Sequence, residues 1–152
     1  MNRRSFLTGV TTLGVTSLSG CLQFGDSEPS PATTIGWMSV SNHDPWSSQK
    51  IDLRIERDGT AVHTSSHTIP AKEGRSVAGA VPDCTWEPEP GEYVVSARPD
   101  GGEWTERNVT QTEEGRALDC VIVKVDYGTS TGEESWVDPD DPLTIAVIDW
   151  CD

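Results

Sequence analysis

The chain has 152 residues, with 25 acidic side chains against 11 Lys and Arg, a formal charge of −14. A charge this far from zero repels nucleic acid and anionic lipid, so a nucleic-acid partner is excluded, and it is tolerated most easily where counterions are abundant. The length allows one domain with a real core, not two.

The chain starts with Arg3-Arg4-Ser5-Phe6-Leu7, continues in a mildly apolar run to Leu18, and reaches Leu18-Ser19-Gly20-Cys21. A charged start, a short apolar middle and small residues before a boundary are the parts of an export signal. Threonines, serines and glycines make the run too weak and too short to hold a membrane span. The arginine pair resembles the twin-arginine export consensus. Leu-Ser-Gly-Cys resembles a lipobox, whose cysteine is lipidated and becomes the N-terminus after cleavage. The expectation is a signal peptide over residues 1–20, with Arg3 and Arg4 as the export signal and Cys21 as the lipidation site. Without Arg3 and Arg4, nine Lys and Arg face the same 25 acids, a charge of −16. Residues 21–33, rich in Ser, Pro and Gly, read as the lipidated cysteine and a flexible tether of about 35 Å at full stretch.

From Thr34 the apolar period becomes two, and residues 34–152 are expected to form the folded domain. Ile35, Trp37, Met38 and Val40 mark a first strand, with Trp37 expected in the core, ending at the turn Asn42-His43-Asp44-Pro45. Ile51 to Arg57 is the clearest strand, with three apolar residues alternating with four charged ones. Asp58-Gly59 is a strong hairpin signal, and Thr60 to Ile69 returns as the partner. Arg75 to Val81, Gly91 to Arg98, Glu103 to Thr110, Leu118 to Asp126 and Leu143 to Trp150 complete eight candidate strands. Pro82 to Pro90 and the acidic stretch Gly128 to Pro142 read as loops.

Many short strands without an amphipathic helix predict two packed sheets. The fold expected is an Ig-like antiparallel β-sandwich of seven or eight strands, with a small open barrel as the alternative. The export start is followed by the 51–59 hairpin, Pro90-Gly91-Glu92-Tyr93-Val94-Val95-Ser96-Ala97 and Asp119-Cys120-Val121. Together they resemble small haloarchaeal lipoproteins with an Ig-like domain. That resemblance implies an extracytoplasmic compartment and the sandwich fold, and it carries no catalytic residue.

The compartment is oxidising, so with Cys21 lipidated one disulfide is expected among Cys84, Cys120 and Cys151. Cys120–Cys151 and Cys84–Cys120 are the favoured pairings. His63 and His67 share a strand face but sit about 13 Å apart, too far for one ion to bridge. Both are expected at exposed polar positions. Asp138, Asp140 and Asp141 are weak candidates for a hard cation, although their spacing matches no EF-hand loop. No other metal site and no cofactor is indicated. Trp46, Trp86, Trp104 and Trp136, with Trp150, fall in or beside loops, where they either close the ends of the sandwich or present a binding platform. Asn108-Val109-Thr110 is a sequon that makes Asn108 a possible glycosylation site.

Phosphate loops, nucleophile elbows and zinc spacings are absent from the sequence. The function expected is therefore a non-enzymatic, lipid-anchored envelope protein on the extracytoplasmic face of the cell membrane, a structural or interaction module. Its partners would be the membrane, through the anchor, and an envelope protein or glycan. The alternatives are a lipoprotein recognising a glycan or peptide through its loop tryptophans and, behind it, a small hydrolase or redox protein.

Overall fold

A computed structural model describes residues 31–150. Arg3, Arg4, Cys21, most of the tether and Cys151 lie outside them. The strands are β1 (Thr34–Asn42), β2 (Gln49–Arg57), β3 (Thr60–Ile69), β4 (Ala78–Ala80), β5 (Tyr93–Pro99), β6 (Thr105–Asn108), β7 (Cys120–Tyr127), β8 (Thr129–Thr131), β9 (Glu134–Trp136) and β10 (Leu143–Asp149). One sheet has the order β10-β7-β1-β4 and the other β3-β2-β5-β6, while β8 and β9 form a separate ribbon. This is the expected Ig-like β-sandwich. Its edges stay open, so it is not a closed barrel. All pairings are antiparallel but one: β1 runs parallel to β7.

Alternation explains the core. Ile51, Leu53 and Ile55 of β2 and Tyr93, Val95 and Ala97 of β5 face Met38 and Val40 of β1 and Val121, Val123 and Val125 of β7, all fully buried. Burying each such large aliphatic side chain contributes on the order of 1.5–3 kcal/mol. The Asp58-Gly59 turn has φ of 51° and 79°, the two positive values that a type I′ hairpin requires. At the start of β5 the Tyr93 hydroxyl donates back to the Glu89 carbonyl at 2.6 Å. That bond has the form of the tyrosine corner of immunoglobulin-like sandwiches.

Three expectations need correction. Trp37 is not core: the register slips between Ile35 and Trp37, where β1 bulges against β7. The extra residue, Gly36, turns Trp37 outward while Ile35, Met38 and Val40 stay inward. Trp86 takes the core position instead, 2% exposed, with its indole N–H on the Ile35 carbonyl at 3.1 Å. The stretch from Gly128 to Pro142 is not only loop, since it contains the β8–β9 ribbon.

Candidate functional site

The two ends of the sandwich differ. The chain enters at Thr33, which exchanges backbone hydrogen bonds with Gly91 of the opposite layer at 2.9 and 3.0 Å. At the far end lie the β1–β2 turn, the turn after β5 and the β7–β10 connection. They are brought together because Asn42 pairs with Tyr127, Tyr127 with Leu143, and Ile51 with Pro99. Trp46, Trp104 and Trp136 all belong to this far end.

Asn42 builds the base. It is fully buried, and its amide lies within donating distance of the carbonyls of Ser47, Ile69 and Pro70 at 3.0, 3.2 and 3.0 Å. Its oxygen accepts from the Asp44 N–H at 2.9 Å. Asp44 in turn accepts from the Trp46 N–H at 2.8 Å, the Ser47 hydroxyl at 2.7 Å and the Gln49 amide at 3.1 Å. Burial pushes the Asp44 carboxyl up, but these donors outweigh it and hold the group below its ordinary value. Trp46 is thus carried on a braced turn with its side chain 90% exposed. A large aromatic left in water on a rigid support is costly to the free protein and useful to a complex.

Trp104 is fixed differently. It follows the turn after β5, and the guanidinium carbons of Arg54 and Arg98 lie 5.1 and 4.6 Å from its ring centroid. Arg98 is held by Asp52 at 3.0 Å. Trp104 also walls a cleft of about 380 Å³ whose other side is Pro139, Asp140, Asp141 and Pro142. Trp104, Asp140 and Asp141 thus line one cleft. Trp136, 54% exposed, rides on β9.

The ribbon that carries Trp136 is fastened from both layers. Lys72, buried at 3% exposure, donates to the Gly132 carbonyl at 2.8 Å and the Ser135 hydroxyl at 3.0 Å. His43 lies 2.8 Å through Nδ1 from the Ser130 hydroxyl and 3.1 Å through Nε2 from Asp126. With the proton on Nε2, the ring donates to Asp126 and accepts from Ser130. Sequence reasoning missed this relay, because its members are 83 and 87 residues apart. A serine–histidine–carboxylate chain can polarise a hydroxyl, but acyl transfer also needs oxyanion donors and a substrate cleft at that serine. None of the clefts beside Trp104, beside Arg107 or beside Val77 is lined by Ser130.

The remaining candidates are dispersed. Asp138, Asp140 and Asp141 are exposed, and the carboxylate of Asp138 accepts the Asp140 N–H at 2.9 Å. Among the described residues, no three His, Cys, Asp or Glu side chains are grouped to hold a metal ion. His63 is buried, not at the exposed polar position expected from the sequence. Its ring meets Trp86 edge-on at 5.3 Å, and the Ser65 hydroxyl links it to His67 at 2.8 and 2.9 Å, so the two rings lean together and do not keep the strand spacing of about 13 Å expected from sequence. Cys84 is free and exposed, so the Cys84–Cys120 pairing does not form. Cys120 is disulfide-bonded. Asn108 is exposed, but the Thr110 hydroxyl of its sequon is buried and accepts the Tyr93 N–H at 2.8 Å.

No model of a known protein family matches this chain, and no curated protein is similar to it.

Proposed function

We propose that this is a non-enzymatic, lipid-anchored protein of the outer face of the cell membrane, a binding module that presents its far end to a glycan of the envelope. In this reading Arg3 and Arg4 direct export, Cys21 carries the lipid, and the tether leaves the tryptophan-bearing end pointing away from the membrane. The observation that carries it is Trp46, 90% exposed on a turn braced by Asn42 and Asp44, at the same end as Trp104 and Trp136. Flat aromatic faces stack on sugar rings, and carboxylates such as Asp140 and Asp141 accept from sugar hydroxyls. The test is titration of the mature chain with neutral hexasaccharides in high salt, read by tryptophan emission. Saturable change that Trp46→Ala and Trp104→Ala abolish is the expected result.

A second reading, a small hydrolase, is favoured by the Ser130–His43–Asp126 relay. Labelling of Ser130 by a fluorophosphonate, lost in His43→Ala, would support it.

A further inference from the structure

The outer face of the β10-β7-β1-β4 sheet carries an apolar band that the far-end site does not use. The register places Trp37 of β1 beside Ile122 of β7, and Ile122 beside Ile148 of β10. All three side chains point outward, so they form one row across three strands. Trp37 and Ile148 are 36% and 41% exposed. Trp150, 57% exposed, extends the band: Cζ3 and Cε3 of its ring lie 3.0 and 3.1 Å from where a Cβ on Gly36 would sit. The ring thus reaches from the end of β10 across β7 to β1. The next outward row, Ser39, Lys124 and Ala146, is small or polar. The band is therefore confined to one end of the sheet.

That end is the one where the chain enters. Thr34 begins β1 three residues before Trp37, and Cys21 lies ten residues before Pro31. We infer that this band is a membrane-docking face, seating the tether end of the domain in the interface of the bilayer to which Cys21 is attached. The inference rests on the anchored reading above. Tryptophan and branched aliphatic side chains suit the boundary between headgroups and acyl chains. A short tether holds the face at an effective concentration in the millimolar range, so a contact too weak to recruit the free domain is still populated once the lipid is in place. The acidic charge does not forbid it, because in molar salt screening acts within about 3 Å. The band itself bears no carboxylate, and Asp149 beside it is paired with Arg116 at 3.2 Å.

The experiment uses the full mature chain, its Cys21→Ala form and each with Trp37→Ser and Trp150→Ser together. Vesicles of phosphatidylcholine with brominated acyl chains in molar potassium chloride report contact by quenching tryptophan emission, and flotation reports attachment. The lipidated chain should float and be quenched. The double serine variant should float equally, keep its circular dichroism and lose most of the quenching. Cys21→Ala should bind at least tenfold more weakly, with the residual quenching again lost on serine substitution. Flotation of the lipidated chain without quenching overturns the docking face. So does concentration-dependent dimerisation abolished by the same substitutions, which would assign the band to a second copy. A mature chain without lipid on Cys21 contradicts the anchor alone, and quenching of the Cys21→Ala form still tests the face independently.

Discussion

Trp150 occupies the space that a side chain on Gly36 would fill, its ring 3.0 Å from that Cβ position. The bulge at Gly36 and the placement of Trp150 are thus one feature. Gly36→Val should force the ring away and cost on the order of 1–3 kcal/mol of stability in denaturant unfolding. In a Trp150→Ala background the same change should cost much less. Equal costs in the two backgrounds would mean that the pair is not coupled.

Cys84 is exposed and free, whereas Cys120 is bonded. Iodoacetamide applied to the folded, unreduced protein should modify Cys84 and leave Cys120 untouched in the peptide map. Modification of Cys120 without reductant would contradict the bonding described.

Much of the fold is legible from alternation alone. Ile51, Leu53 and Ile55 reveal β2, and Asp58-Gly59 the hairpin that follows. Trp37 and Trp86 exchange roles because alternation assumes an unbroken register, and a single inserted glycine reverses every position beyond it. Nothing local marks that bulge except the glycine itself. Trp86 sits in a proline-flanked loop, where no period exists to tell a buried ring from an exposed one. The ribbon at Thr129–Trp136 is hidden by its short strands and by acidic residues that resemble solvated loop. The His43 relay and the Lys72 clasp join residues remote in sequence, so only the folded layers bring them together. The tryptophan set was readable as a list of positions, but its division into a far-end group and a tether-end pair was not.

The far end depends on Asn42. Its amide lies within donating distance of three carbonyls, and its replacement removes that shared donor while freeing the turn that carries Trp46. Asn42→Leu should lower unfolding free energy by about 1–3 kcal/mol. Protease sensitivity should rise first between residues 43 and 48. An unchanged midpoint in guanidinium would show that the turn stands without this base.

His63 gives the domain a pH response. Burial is the first cause, and neighbouring His67 the second, of a pKa below the ordinary value of 6.5. The folded state therefore disfavours the protonated ring that the unfolded chain accepts. This contribution to stability is fully present above pH 6.5 and is lost as pH falls through the folded value. Thermal midpoints at fixed high salt should decline from pH 7 to pH 5, and His63→Gln should flatten that decline. A decline of the same size in the variant would place its origin elsewhere.

With Trp46 and Trp104 held in place by Asp44, Arg54 and Arg98, the far end should act as a surface built to bind. Isothermal titration of the mature chain with neutral hexasaccharides in molar salt tests this most directly. The predicted result is saturable binding to at least one glycan, lost in both Trp46→Ala and Trp104→Ala while the unfolding midpoint stays unchanged. Absence of binding across the panel, or binding that survives both substitutions, would contradict it.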